Sequence, residues 1–257
     1  MLQFISIGSD PEVFVTYKKE VISAEGLIGG SKAEPREIED GYCVQEDNVL
    51  LEYNIPVCYT KPDFVEAIHK GLTLGKLVLS KDYDISIIAS NVMDPKWLQT
   101  PHAQEFGCDP DFNAHTESMN EKPNSQTNLR TAGGHIHIGY ETTSIDSTLQ
   151  LVKMCDLFLG VPSILMDSDS MRRLLYGKAG CFRFREYGFE YRTLSNYWLK
   201  SKDDTAWIYD QIKKMFEFVN HGGYGAVTEK DWSNIIMCIN DSNTDLAIRI
   251  CNKFSTL

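Results

Sequence analysis

The sequence predicts an α+β fold with an antiparallel β-sheet. Short alternating or β-branched segments come early and in the middle of the chain, and helical patterns are inserted between them and follow them. This order of elements is typical of that class. A chain of 257 residues can bury a sizeable core, so we expect a single domain over residues 1–257, with residues 200–257 as a helical C-terminal part.

The first strands are expected to form a hairpin. Residues 12–17 and residues 20–23 have strand-like patterns and flank Lys18-Lys19, which forms the expected turn. Residues 49–55 alternate cleanly between apolar and polar side chains. This alternation predicts a further strand that is buried on one face.

A helix is expected to begin near Pro62, because proline suits a first helical turn and the apolar residues that follow recur at helical spacing. Residues 85–90 are short and β-branched and predict a strand. Residues 91–130 are rich in Pro, Asn, Asp and Gln and predict a long ordered loop. Such a loop within a compact domain is more often functional than idle.

The second half combines two strand regions with helices. Residues 134–140 predict a strand, and residues 182–194 a strand or hairpin. Residues 144–166 predict an apolar, buried helix that bends or ends around Pro162. Three more helices are expected over residues 205–219, 231–239 and 245–254.

The composition excludes several classes of function. The 25 Lys and Arg against 36 Asp and Glu give a charge of −11, which argues against a protein that binds duplex DNA. The N-terminus lacks a signal-peptide pattern, and no stretch reaches the roughly 18 uninterrupted apolar residues of a membrane span. The seven scattered cysteines include no Cys-x-x-Cys pair and suit a reducing cytoplasm.

Four strand segments each place two polar residues two positions apart, so that both side chains point to one face. The pairs are Asp10 and Glu12, Glu52 and Asn54, His135 and His137, and Glu190 and Arg192. Each pair alone is ordinary on a solvated strand face or as a structural contact. Four such pairs with apolar neighbours indicate one polar face, provided that the strands are adjacent, and charge crowded there would need a ligand.

The residue types in these pairs indicate the kind of ligand. Carboxylates with one or two imidazoles favour Mg²⁺ or Mn²⁺ over zinc. Arginines between Arg172 and Arg185 could bind phosphate, although such a run is as typical of a solvated basic strip. Together these features suggest phosphoryl transfer. The sequence contains no P-loop motif, no dinucleotide-binding glycine motif and no nucleophile elbow.

The same residues lie in stretches that resemble the phage-encoded carboxylate–amine ligases (amidoligases of type 2), a branch of the glutamine synthetase and glutamate–cysteine ligase superfamily. The matching stretches are residues 8–15, 45–56, 106–114, 130–139 and 172–196. The resemblance implies an antiparallel sheet funnel of the glutamine synthetase catalytic-domain type, with helices on its outer face and with ATP and metals on its polar face. The chain is shorter than glutamine synthetases and has nothing similar to their N-terminal β-domain, so their ring assembly is not implied.

The resemblance also implies roles for individual residues. The implied metal ligands are Asp10, Glu12, Glu52, His135 and Glu190. The implied contacts to the transferred phosphate or the substrate, and hence the catalytic residues, are Arg192, Arg183 and Arg185. The expected nucleotide-binding residues are His137, Asn54, Arg173 and Tyr176. Residues 105–113 have the position expected of a substrate-facing segment.

The function implied is an ATP- and Mg²⁺- (or Mn²⁺-) dependent ligase that joins a carboxylate to an amine through an acyl phosphate. The expected partners are small-molecule or peptide carboxylates and amines in the cytoplasm, which would be a host cytoplasm for a phage-encoded protein. Neither duplex nucleic acid nor a membrane is expected, and an oligomer is compatible with the sequence. Two alternatives stay open: a phosphotransferase of the guanidino-kinase kind and a non-catalytic module that binds nucleotide or metal.

Overall fold

A computed structural model describes residues 1–104, 111–121, 123 and 127–254. These residues form antiparallel sheets and helices, which confirms the mixed class expected from the sequence. The strands are β1 Phe4–Ser9, β2 Glu12–Tyr17, β3 Glu20–Ile22, β4 Arg36–Glu39, β5 Tyr42–Asp47, β6 Leu50–Asn54, β7 Tyr83–Ser86, β8 Ser90–Val92, β9 Phe112–Asn113, β10 Ser118–Met119, β11 Leu129–Thr131, β12 Ile136–Tyr140, β13 Cys181–Arg185 and β14 Gly188–Tyr191. The helices are α1 Lys61–Val78, α2 Pro101–Gln104, α3 Ile145–Cys155, α4 Val161–Met166, α5 Lys202–Asn220, α6 Glu229–Asn240 and α7 Thr244–Phe254.

Two larger sheets and one small strand pair organise the described residues. The first sheet has the strand order β1-β12-β14-β13-β9-β10, and the second has the order β3-β2-β6-β5-β4, with β7 also pairing with β2. Strands β11 and β8 form the small pair. The chain leaves the first sheet at Ser9 and enters the second at Glu12, so Asp10 and Pro11 form the junction between the two sheets.

The junction changes one prediction. Asp10 and Glu12 are not a pair on one strand, because β1 ends before Asp10 and β2 begins after Pro11. Asp10 therefore lies in the junction, whereas Glu12 belongs to the second sheet. The expected hairpin of β2 and β3 is confirmed, and both turn residues, Lys18 and Lys19, have positive φ angles of 49° and 70°. Positive φ angles at both central residues of a two-residue hairpin turn match the right-handed twist of the two strands.

Helix α1 confirms the expected helix near Pro62. The Thr60 side chain accepts a hydrogen bond from the Asp63 main-chain N–H, and Pro62 occupies the first turn, where no helical N–H partner is needed. The helix buries Phe64 and Ile68 in the main core, where the Phe64 ring stacks on Trp198 at a centroid distance of 6.0 Å. Helix α1 also packs against β6.

The expected helix over residues 144–166 is present, but its irregularity comes earlier than Pro162. The five residues Asp156–Gly160 form a π-helical turn between α3 and α4, and Pro162 lies in the first turn of α4. Residues Ile145–Met166 have the length and composition of a membrane span, yet 61% of the apolar window is buried inside the protein. That degree of burial is typical of a core helix.

The segment predicted as a long loop is more ordered than its composition indicates. Its described residues include β9, β10 and β11, helix α2 and a short 3₁₀ helix at Pro95–Trp97. The strand expected over residues 85–90 is instead divided between β7 and β8. Strands β1, β4 and β5 were not expected; β4 is largely exposed at the sheet edge and has no clear alternation.

Candidate active site

Two side chains from neighbouring strands of the first sheet converge with one side chain of the junction. Asp10, His137 and Glu190, here called the first cluster, each offer a ligand atom within 4.8 Å of the other two. The sheet register explains the convergence, because His137 on β12 lies directly opposite Glu190 on β14. His137 Nε2 lies 3.2 Å from Asp10 Oδ1, and among the described residues neither buried atom has a hydrogen-bond partner of acceptable geometry.

His135 lies beside the first cluster and not within it. Its Nδ1 is 3.4 Å from Asp10 Oδ1, 3.7 Å from Glu190 Oε1 and 3.3 Å from Arg192 Nη1. The resemblance implied His135 as the metal ligand and His137 as the neighbour of the phosphates. The geometry favours His137 for the first of these positions and leaves His135 at the boundary of the cluster.

Three arginines surround the buried carboxylate of Glu190. Arg185 and Arg192 both contact it directly, and Arg183 Nη1 lies 3.9 Å from its Oε1. Burial and the nearby Asp10 raise the pKa of Glu190, but Arg192 and the two histidines outweigh them and hold it at about 2. The first cluster is therefore an acidic site whose charge is balanced by the protein's own cations.

A second group of carboxylates lies in the other sheet. Glu12, Asp47 and Glu52, here called the second cluster, also offer ligand atoms within 4.8 Å of one another. Glu12 on β2 pairs in register with Glu52 on β6, and both are buried. Burial raises the pKa of Glu12 and raises that of Glu52 strongly, and the charges of Asp10, Asp47 and Glu12 raise the pKa of Glu52 further.

Main-chain and amide contacts fix the position of Glu12. The Gly133 N–H donates to Glu12 Oε2 at 2.6 Å, the Glu12 N–H donates to the Gly133 carbonyl at 2.9 Å, and Asn196 Nδ2 donates to the Glu12 carbonyl at 2.9 Å. A Cβ atom on Gly133 would lie 2.4 Å from His135 Nε2. A side chain at this position would therefore displace the His135 ring.

A cleft borders the second cluster and two neighbours of the first cluster. Its volume is about 580 Å³ including the mouth that opens to solvent. Glu12 and Asp47 of the second cluster line it, and so do His135 and Arg192, which contact the first cluster. The other polar lining residues are Asn48, Asp111, Arg130, Thr131, Arg172 and Tyr176.

The donor atoms of both clusters fit hard divalent cations. Carboxylate oxygens with a single imidazole are the ligands that Mg²⁺ and Mn²⁺ accept, whereas structural zinc sites favour thiolates and several imidazoles. The second cluster holds two buried carboxylates and the partly buried Asp47, and their mutual repulsion is what a divalent cation would relieve. The unpartnered atoms of Asp10 and His137 point to the same need in the first cluster.

Of the four residues expected at the nucleotide, His137, Asn54 and Arg173 do not line the cleft. The Arg173 guanidinium donates to the Asp169 carbonyl at 3.1 Å and to Ser163 Oγ at 3.4 Å, so it holds buried loops together and does not line the cleft. Asn54 shares a strand face with Glu52 but also does not line the cleft. Tyr176 does line the cleft, and its contact with the nucleotide stays a prediction.

Three residues near the site were not singled out from the sequence. Asp47 completes the second cluster, Asp111 Oδ2 lies 3.4 Å from Arg192 Nε, and the Tyr187 hydroxyl lies 2.8 Å from His137 Nδ1. Asp47 and Asp111 fall inside stretches that carry the family resemblance, which was the available signal. Of the expected substrate-facing segment 105–113, residues 105–110 lie outside the described residues.

The comparisons with known proteins bear on part of the chain. A comparison with curated proteins finds no match. A crystal structure of a bifunctional glutathione synthetase from Pasteurella multocida is similar with a TM-score of 0.41 at 11% identity, over 98% of this chain and 49% of that one, so the chain spans about half of its length. Residues 125–216, which include His135, His137, Glu190 and Arg192, match the family model described as Phage phiEco32-like COOH.NH2 ligase-type 2. The resemblance to the type 2 carboxylate–amine ligases is therefore confirmed over residues 125–216.

Proposed function

We propose that the protein is an ATP-dependent ligase that forms an amide bond between a carboxylate and an amine, with Mg²⁺ or Mn²⁺ as its metal. The observation that carries this proposal is the pair of acidic clusters beside the sheet junction, next to a cleft that Glu12, Asp47, His135 and Arg192 line. The match of residues 125–216 to a ligase family supports the reaction class.

The residues divide into two metal-holding groups. Asp10, His137 and Glu190 would hold one divalent cation, with His135 beside them, and Glu12, Asp47 and Glu52 would hold another. Bound cations supply charge neutralisation for the phosphates of the nucleotide. Glu12 and Asp47 line the cleft, so a nucleotide there would meet the second group directly. The first group borders the cleft only through its neighbours His135 and Arg192.

Arginines of the first sheet provide the remaining positive charge. Arg192 lines the cleft, and Arg183 and Arg185 lie on the neighbouring strand β13 around the same glutamate. We propose that these guanidinium groups stabilise the charge on the γ-phosphoryl group during transfer, because guanidinium groups bind phosphate oxygens in a bidentate fashion.

The proposed reaction has two steps. A carboxylate oxygen of the substrate attacks the γ-phosphorus, the bond to the ADP oxygen breaks, and an acyl phosphate forms. The amine nitrogen then attacks the acyl carbon, the carbon–oxygen bond to phosphate breaks, and the amine gives up a proton. An amine arrives as an ammonium ion at neutral pH, and the carboxylates of Glu12, Asp47 and Asp111 on the cleft wall would attract it. The ammonium ion releases one proton before the attack and the second proton as the amide forms.

The other expectations from the resemblance are also proposals. We propose that the two larger sheets form the walls of a glutamine synthetase-type funnel, within a single catalytic domain over residues 1–257 that ends in a helical part over residues 200–257. We further propose that the substrates are small molecules or peptides and that the protein acts in the cytoplasm, which would be a host cytoplasm if it is phage-encoded.

The test incubates the protein with Mg-ATP and a pool of amino acids and polyamines, and follows ADP, free phosphate and new amide masses. We expect ADP and phosphate in equal amounts together with a new amide, and no turnover for Glu190→Gln. Glu229→Gln is the matched control, because it makes the same change at a solvent-exposed position.

Other outcomes would favour the alternatives. A phosphorylated product with ADP but no free phosphate would favour the phosphotransferase. Nucleotide binding without turnover would favour the non-catalytic module. A lack of metal-dependent nucleotide binding in calorimetry would contradict the proposal.

A further inference from the structure

The turn between β13 and β14 places a tyrosine against the first cluster. Tyr187 lies in this turn, and its carbonyl accepts a hydrogen bond from the Tyr140 N–H at 3.1 Å. The next residue, Gly188, has a φ of 150°, and a Cβ there would lie 2.1 Å from the Ile138 carbonyl oxygen. Glycine therefore permits β14 to approach β12 closely, and the backbone holds Tyr187 over the strand that carries His137.

The His137 ring has a different partner at each nitrogen. The Tyr187 hydroxyl lies 2.8 Å from Nδ1, and the two rings are stacked with centroids 6.1 Å apart and an interplanar angle of 16°. On the opposite side of the ring, Nε2 lies 3.2 Å from Asp10 Oδ1 and faces the first cluster. The imidazole is thus fixed between a hydroxyl group and the carboxylates.

This arrangement links the location of one proton to cation binding. A neutral imidazole carries its proton on one nitrogen and a lone pair on the other. A cation among the first-cluster carboxylates requires the lone pair on Nε2, so the proton must lie on Nδ1 and needs an acceptor there. A tyrosine hydroxyl can be that acceptor, and groups that hold the second nitrogen of a metal-binding histidine usually strengthen binding.

We propose that Tyr187 is a positioning residue for the first cluster: its hydroxyl accepts a hydrogen bond from His137 Nδ1–H and so presents the Nε2 lone pair to a divalent cation. The inference rests on the proposed function for the presence of a cation at this cluster. It adds a residue that lies in a turn and acts on the cation through His137.

The first test measures Mn²⁺ affinity by calorimetry in a Glu52→Gln background, which leaves only the first cluster intact. We expect Tyr187→Phe, which keeps the ring and removes the hydroxyl, to bind Mn²⁺ about 10-fold more weakly, with an unchanged melting temperature. Tyr209→Phe is the matched control. Tyr209 lies on helix α5, and its hydroxyl donates to the Tyr59 carbonyl at 3.3 Å. We expect the control to bind as its parent does.

The second test reads the proton directly. In protein labelled with ¹⁵N-histidine and saturated with Mg²⁺, we expect His137 to carry its proton on Nδ1, and the Tyr187→Phe variant to show a mixture of tautomers. The variant His137→Gln identifies the signal. Unchanged Mn²⁺ affinity in Tyr187→Phe, or a proton on His137 Nε2 with Mg²⁺ bound, would overturn this inference alone. A wild-type protein that binds no Mn²⁺ would overturn both the inference and the proposed function.

Discussion

The two acidic clusters lie on either side of one junction, yet their charges are balanced in opposite ways. In the first cluster, burial raises the pKa of Asp10 and of Glu190, but histidines and arginines outweigh burial and lower both values. In the second cluster, burial raises the pKa of Glu12 and Glu52, and the neighbouring carboxylates add to the increase for Glu52. The protein's own cations offset much of the charge of the first cluster, whereas the carboxylates of the second repel one another and only a bound cation would offset them.

This difference follows from which strands meet. Strands β12, β13 and β14 bring histidine and arginine side chains to the same face as Glu190. In the second sheet, Glu52 on β6 lies opposite Glu12 on β2 and Gln45 on β5. Asp47 follows two residues after Gln45 on β5. Buried carboxylates therefore have a lowered pKa in the first sheet and a raised pKa in the second.

The largest effect is expected for Arg192→Met, which removes a cation from the first cluster. The arginine is buried and contacts Glu190, so its loss leaves a buried carboxylate with fewer partners. We expect the free energy of unfolding to fall by about 3 kcal/mol, at the lower end of the range for broken buried pairs because Arg185 still contacts Glu190. Urea denaturation measures this change, and exposed Arg249→Met is the control. A loss below that of the control would show that the first cluster does not depend on its arginines.

The next effect is the stabilisation by Mg²⁺, which tests the second cluster. A ligand at 100 times its dissociation constant stabilises a fold by about 2.7 kcal/mol. We expect thermal or urea denaturation of the wild type to show a gain of this order in saturating Mg²⁺, and a smaller gain for Glu52→Gln. If Glu52→Gln gained as much as the wild type, the second cluster would not be a cation site.

A smaller effect is expected in the pH dependence without divalent cations. Because the folded-state pKa of Glu52 is raised above its ordinary value of 4.5, the stability that it contributes is present below that pH and is lost as pH rises through the folded-state value. In EDTA, Glu52→Gln should therefore gain stability relative to the wild type as pH rises toward neutrality, by about 1 kcal/mol for each pH unit between the ordinary and the folded-state pKa. Urea denaturation at several pH values measures the difference.

Glu190 provides the opposite case. Its pKa is lowered to about 2, so its contribution is present above the ordinary value of 4.5 and is lost as pH falls toward 2. Glu190→Gln should therefore be less stable than the wild type at neutral pH. A pH dependence of the same sign for both variants would contradict the contrast between the clusters.

The smallest effect is expected for Asn54→Ala. Asn54 does not line the cleft, and its side chain is only partly buried. We expect ATP affinity, measured by calorimetry with Mg²⁺ present, to change by less than about twofold, whereas Tyr176→Ala on the cleft wall should weaken it more. An equal loss in both variants would restore Asn54 to the nucleotide site.

The sequence could predict strand pairs better than their arrangement. The spacing of two residues identified His137, Glu52 and Glu190, because side chains two apart share a strand face. The same rule failed for Asp10, since the chain changes sheets between Asp10 and Glu12. No local pattern reveals such a crossing.

Tertiary contacts account for the remaining differences. Asp47 joins the second cluster because β5 pairs with β6, a pairing that neither segment encodes alone. Arg173 belonged to a run of arginines that suggested phosphate binding, but buried carbonyl and hydroxyl partners take its guanidinium away from the cleft. Tyr187 lies in a turn, where residue type carries little information about the neighbouring strand.

The number of Mn²⁺ ions bound per chain tests the account most directly. Titration followed by electron paramagnetic resonance, with a non-hydrolysable ATP analogue present, should give two ions in the wild type. It should give one ion in Asp10→Asn and one in Glu52→Gln, because each substitution disables one cluster and leaves the other intact. A wild type that binds no Mn²⁺, or two variants that both keep the wild-type number, would contradict a centre built from two cation sites at the junction of the sheets.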